Sequence, residues 1–195
     1  MNPSRLPLAA VLCWLPILVL TAPASALAHT GLTPTTSWGY GLLHPLTGLD
    51  HLLAAVGVGL WAALQAHVLA RRLLFVFLSM LLVGLPLGAA WPTETTEWSV
   101  LASVLLLGTM LVLVSRPPAA VSLLLIALFG LLHGHVHGTE ILPETGWAYA
   151  LGWMLATGLL TFTGYAIGRL LHHRQVVGVF RLAGFMLIGA MIALL

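Results

Sequence analysis

The chain has 195 residues, of which 60% are hydrophobic and only 6% charged, and its mean hydropathy is +1.06. That balance excludes an ordinary soluble domain and identifies an integral membrane protein whose main partner is the lipid bilayer. Seven arginines and no lysine stand against five acidic residues, so the isoelectric point of 9.2 reflects scarcity of charge rather than a basic surface, and no nucleic acid is implied.

Residues 1–28 read as a signal peptide, with Arg5 in the n-region, an apolar core over 6–20 and the small-residue site Ala26-Leu27-Ala28. Cleavage after Ala28 removes the single cysteine, Cys13, and exposes His29 as the new N-terminus. An uncleaved signal anchor and a lipoprotein signal at Cys13 are the rival readings. Residues 29–195 then form one domain with six apolar stretches, at about 37–64, 72–91, 98–115, 118–137, 147–171 and 176–195. Each is long enough to cross roughly 30 Å of hydrocarbon at about 1.5 Å per residue. The expected fold is an all-α integral membrane protein, a six-transmembrane-helix bundle behind a cleaved signal peptide.

Charge sets the orientation. Arg71, Arg72, Arg116, Arg169 and Arg174 fall on one side of this bundle, with Arg181 one turn into the last stretch from that side. The positive-inside rule makes that side the cytoplasm. Glu94, Glu97, Glu140 and Glu144 fall opposite, so the mature N- and C-termini are expected in the periplasm of a bacterial inner-membrane protein. Trp38, Trp91, Trp98 and Trp147 gather at the outer boundary as an aromatic belt. GLLH recurs at 41–44 and 130–133, but at opposite ends of its two helices, which does not support an inverted repeat.

The first apolar stretch carries HPLTGLDH, His44 to His51. An aspartate buried in a span costs on the order of 2.5–3.5 kcal/mol on insertion scales, so Asp50 requires compensation. His44 and His51 share one face of an ideal helix, roughly 10 Å apart along its axis, with Asp50 turned about 100° away. Pro45 and Gly48 work against an ideal helix: Pro45 removes the bond to the Gly41 carbonyl and leaves that oxygen free, and an unwound first turn would bring Asp50 toward the imidazoles or offer a carbonyl ligand.

The fourth stretch closes with FGLLHGHVHGTE, Phe129 to Glu140. His133, His137 and Glu140 stand at i, i+4 and i+7, on one stripe, and His-x3-His grips a divalent ion from a helix. His135 points to the other side. Gly130, Gly134 and Gly138 repeat every four residues and permit a neighbouring helix to approach closely. If the first stretch enters from outside and the fourth leaves to it, His44 lies level with His133, His137 and Glu140 lie above, and Asp50 and His51 lie below. The donors then form a ladder leading inward. Helix-packing polar residues explain any one of these histidines, but not five imidazoles and an aspartate in two stretches. His67, His172 and His173 sit at the cytoplasmic ends, where solvated interfacial histidines are expected, with a cytoplasmic exit site as the alternative.

HPLTGLDHLLAAVGVGLWA and LLHGHVHGTE, in a chain of this size behind a signal peptide, resemble the HupE/UreJ family of nickel and cobalt permeases associated with hydrogenase and urease gene clusters. By similarity, His44, Asp50 and His51 match its HPxxGxDH motif, and His133, His137 and Glu140 match its HGxxHGxE motif, with His135 at a variable position. The His-x5-Asp-His spacing departs from the His-x4-Asp-His of a separate nickel/cobalt transporter family. The resemblance implies uptake of Ni2+ first and Co2+ second, as transported ions with no permanent cofactor, by a non-enzymatic permease that supplies metalloenzymes such as hydrogenase or urease. The donor set alone does not separate these ions from zinc. Glu97 and His29 are candidate entry residues beside His135, and a homo-oligomer is a candidate assembly. Two other readings stay open: a membrane cytochrome with histidine pairs on haem, and a metal-binding accessory protein that does not transport. An intramembrane metalloprotease is disfavoured, because no glutamate lies between His133 and His137 to act as base.

Overall fold

The computed structural model describes residues 38–93, 96–140 and 146–193; the expected signal peptide and His29 lie outside them. The described residues form seven α-helices and no strand: α1 (Trp38–Thr47), α2 (Leu49–Ala63), α3 (His67–Ala90), α4 (Thr96–Val112), α5 (Ala119–Glu140), α6 (Gly146–His173) and α7 (Val177–Ala193). This is the expected all-α membrane architecture. Three helices cross a bilayer by length and composition: α3, α5 over Ala119–Thr139, and α6. The α1–α2 pair meets the same test only when taken together. Helices α4 and α7 have 17 residues each and reach about 25 Å, short of a full hydrocarbon crossing.

The expected first span is not one helix. Its halves bend by 81° at Gly48, whose φ of −88° and ψ of 112° are extended rather than helical. The break falls three residues after Pro45, which stays buried inside α1. Thr47 Oγ1 donates to the His44 carbonyl at 3.0 Å and helps close α1. Gly48 has a steric reason to be glycine, because a Cβ there would meet His51 Nδ1 at 2.7 Å.

The longest helix, α6, runs past both halves of the bent pair. Gly41 of α1 abuts the Tyr149 carbonyl, and Gly59 of α2 abuts the Thr161 carbonyl about three turns further on. Helices α3 and α5 lie backbone to backbone: Gly130, Gly134 and Gly138 face the carbonyls of Phe77, Leu81 and Leu85, and Gly84 and Gly88 return the contact against Leu131 and His135. Backbone contact at five glycines gives the two helices one register, and that register fixes the height of the α5 histidines. Helices α4 and α7 pair separately. Trp61, Phe77, Trp153 and Phe180 fill the interior, while Phe75, Leu124, Leu159 and other large apolar side chains stay on the outside, as a lipid-facing surface requires.

Polar contacts tie together the end that carries the arginines. Trp61 Nε1 and Gln65 Nε2 both donate to the Ser115 carbonyl, at 3.2 and 3.3 Å. Arg169 Nη1 reaches the Ala63 and Gln65 carbonyls at 3.4 and 3.5 Å, at the C-terminal end of α2 where a cation offsets unpaired carbonyls. Arg116 Nη2 donates to His172 Nε2 at 3.4 Å. Arg116 and Arg169, two of the arginines expected on one side, therefore anchor the same end. At the other end, Trp91, Trp98 and Trp147 are 67%, 67% and 84% exposed, as anchoring tryptophans would be.

Candidate metal centre

The break at Gly48 builds the centre. Because α2 leaves α1 steeply, His44 and His51 do not stand 10 Å apart on one helix face. Their ring centroids lie 5.1 Å apart, edge to face. His137, about one turn from the end of α5, completes the group at 4.9 Å from His44 and 4.4 Å from His51. One nitrogen from each of the three rings lies within 4.8 Å of the other two. An ion at the centre of that triangle stands within about 2.8 Å of every nitrogen, the 4.8 Å side divided by √3, so closure to an ordinary metal–imidazole distance of roughly 2.1 Å moves each ring by about 0.7 Å. Side-chain rotation supplies a movement of that size without shifting a helix.

The surrounding residues orient the rings. His51 Nδ1 donates to the Asp50 carboxylate at 2.8 Å, with the ring 10% and the carboxylate 33% exposed. That bond directs Nε2 of His51 away from Asp50 and makes the ring a stronger donor, the carboxylate–histidine arrangement common around bound metals. His137 packs against Trp153 with centroids 4.4 Å apart, and His44 against Tyr149 at 5.7 Å. Both aromatics are nearly inaccessible, at 1% and 4%.

The expected ladder is thus replaced by a compact group. His44 lies with His137 and His51, not level with His133 between them, because the chain bends by 81° between α1 and α2. His133 lies one turn further along α5 toward the arginine end. It lines a cavity of about 10 Å³ together with His51, His137, Ala54, Ala55, Phe77, Leu81, Trp153 and Thr157. His133 Nδ1 donates to the Phe129 carbonyl at 2.9 Å, which fixes the tautomer and leaves Nε2 a lone pair. His135 points away, as expected, and its Nε2 donates to the Trp91 carbonyl at 3.0 Å. Glu97 lies in the first turn of α4 and Glu140 ends α5, at the Trp91 end of the bundle; their side chains lie outside the described part of the structure.

Sequence reasoning missed the contribution of α6. Tyr149, Trp153 and Thr157 stand four residues apart on the buried stripe that also holds Gly152, Ala156, Thr161, Gly164 and Gly168. Small residues recurring at that spacing were the available signal for a face turned to other helices.

No solved structure matches the chain. It is 30% identical over 171 residues, 85% of this chain and 87% of the relative, to Protein HupE of Rhizobium leguminosarum bv. viciae. The family described as HupE / UreJ protein matches residues 17–194, nearly the whole sequence. The chain belongs to the HupE/UreJ family.

Proposed function

We propose that this protein is an inner-membrane permease that carries Ni2+, and Co2+ as a second substrate, from the periplasm to the cytoplasm for delivery to metalloenzymes such as hydrogenase or urease. The observation that carries the reading is the close approach of the His44, His51 and His137 nitrogens beside Asp50. Burying several imidazoles and a carboxylate together is unfavourable unless something bonds them. A borderline divalent cation does so, accepting lone pairs from neutral rings and offsetting the carboxylate charge.

In this account a cleaved signal peptide precedes six spans, the bent α1–α2 pair and the short α4 and α7 each counting as one, and both mature termini are periplasmic. Glu140, Glu97 and His29 concentrate cations at the mouth. His44, His51 and His137 take the ion and displace part of its hydration shell, and His133 receives it one turn further in. Transport needs donors strong enough to select and weak enough to release, which three neutral imidazoles with one outlying carboxylate satisfy better than a cage of thiolates. The geometry disfavours haem, because imidazoles with centroids 4.4–5.1 Å apart leave no gap for a tetrapyrrole.

The test is uptake of radioactive nickel by cells, with cobalt and zinc as competitors, for the wild type and His51→Ala at equal membrane abundance. Saturable uptake that cobalt competes and His51→Ala abolishes supports the permease. Metal bound by purified protein, with no uptake above background, would establish an accessory metal-binding role instead.

A further inference from the structure

Thr157 carries the buried polar atom in this region that the metal centre described so far does not use. Every other threonine inside a helix whose side chain is described donates to a carbonyl three or four residues earlier: Thr47, Thr109, Thr139, Thr161 and Thr163, at 2.6–3.0 Å. Such back-bonding is how a helical hydroxyl is satisfied away from water. Thr157 is the exception. It is 6% exposed, and its Oγ1 is buried with no hydrogen-bond partner among the described residues. An unsatisfied buried hydroxyl costs about 1–3 kcal/mol, so it calls for a ligand.

A second orphaned atom shares its cavity. His133 is 7% exposed, and with Nδ1–H committed to the Phe129 carbonyl, its Nε2 is buried without a partner among the described residues. Both residues line the cavity of about 10 Å³ that also reaches His51 and His137, which is room for about one water. Direction follows from the helices. Ala54 and Ala55 lie one turn beyond His51 on α2, Thr157 one turn beyond Trp153 on α6, and His133 one turn before His137 on the oppositely running α5. All four are displaced toward the arginine end, so the cavity lies on the inner side of the three imidazoles.

We infer that this cavity holds a water ligand of the bound cation, and that Thr157 is a positioning residue that orients it. The inference rests on reading the three-imidazole group as an ion site. A water bound to a divalent cation presents two polarised hydrogens and needs two acceptors. Nε2 of His133 has a lone pair for one, and Oγ1 of Thr157 accepts the other. The same water keeps the ion's inner side hydrated while its outer side is held by nitrogen, so inward movement exchanges ligands one at a time rather than stripping the ion. His133 is then ready to replace the water it held.

The experiment measures Ni2+ binding to purified full-length protein in nanodiscs by calorimetry, with the visible absorption of the Co2+-loaded protein as a second readout, for the wild type, Thr157→Val, Thr157→Ser and His51→Ala. Valine keeps the shape of threonine and removes the hydroxyl, so Thr157→Val is expected to weaken Ni2+ binding about tenfold, the loss of one hydrogen bond to a charged group. It should also change the Co2+ spectrum through loss of a ligand, whereas Thr157→Ser retains wild-type affinity and spectrum. Wild-type affinity and spectrum in Thr157→Val, beside lost binding in His51→Ala, would overturn the role of Thr157 alone. Equal impairment in the serine and valine variants would make the residue a packing element and overturn it too. Undiminished binding in both His51→Ala and Thr157→Val would overturn the ion site and this inference with it.

Discussion

Asp50→Asn separates charge from shape. The asparagine carbonyl still accepts the His51 Nδ1–H bond, now 2.8 Å long, so the ring keeps its direction and only the negative charge is lost. The carboxylate lies about 6–7 Å from an ion on the far nitrogen of His51, allowing for the hydrogen bond, the ring and a metal–nitrogen bond of roughly 2.1 Å. A divalent ion and a unit charge at that range interact by about 5 kcal/mol at an effective dielectric constant of 20, and by about 1 kcal/mol in bulk water. Asp50 is a third exposed, which places the effect between those limits. A value near 3 kcal/mol corresponds to about a hundredfold in affinity, the upper end of what loss of an outlying carboxylate on a metal-bound histidine costs. Calorimetric titration of the purified variant with Ni2+ reads the affinity, and radioactive uptake at low nickel, with abundance checked by immunoblot, reads its consequence. If Asp50 is only a helix-packing residue, Asn serves as well as Asp. Wild-type binding and uptake by Asp50→Asn would refute the reasoning.

The α5 histidines should divide sharply: His137→Ala is expected to abolish uptake and His135→Ala to retain most of it, since His135 bonds the Trp91 carbonyl instead of joining the group. Gly134→Leu should separate α3 from α5, because its side chain would start against the Leu81 carbonyl; a loss of about 1–3 kcal/mol should appear as a lowered melting temperature in detergent. The initial rate of nickel uptake, measured over a series of external pH values, should fall once the medium is acid enough to protonate the donor rings, since a protonated imidazole has no lone pair for the metal. A C-terminal alkaline phosphatase fusion should be active and a green fluorescent protein fusion dark, the converse pattern indicating an odd number of spans.

Composition and apolar run length made the helices legible, and the helical segments coincide with the apolar stretches to within a few residues. The arginine side was equally legible, because one-sided charge survives any detail of packing. Gly130, Gly134 and Gly138 announced a close helix contact and form one, against α3. Pro45 and Gly48 together marked the helix as doubtful, but the 81° size of the bend was not legible, since hydropathy records how apolar a stretch is and not the direction of its axis. Pro45 is accommodated within α1, and a non-helical Gly48 does the turning. Every error in the donor geometry follows from that point: a straight helix separates His44 from His51 and yields a ladder, whereas a bent one closes a group. Trp153 and Thr157 escaped notice because an indole and a hydroxyl are not metal-type residues, and only their shared stripe on α6 marked them.

The central claim is that His44, His51 and His137 bind one cation together. Nickel X-ray absorption of the purified, metal-loaded protein tests it directly, because the outer atoms of a coordinated imidazole give a scattering pattern distinct from water and carboxylate. The account predicts three imidazoles with only nitrogen and oxygen donors in the wild type, and one fewer imidazole in each of His44→Ala, His51→Ala and His137→Ala that still binds nickel. A wild-type spectrum without imidazole scattering, or one unchanged by His137→Ala, would contradict it.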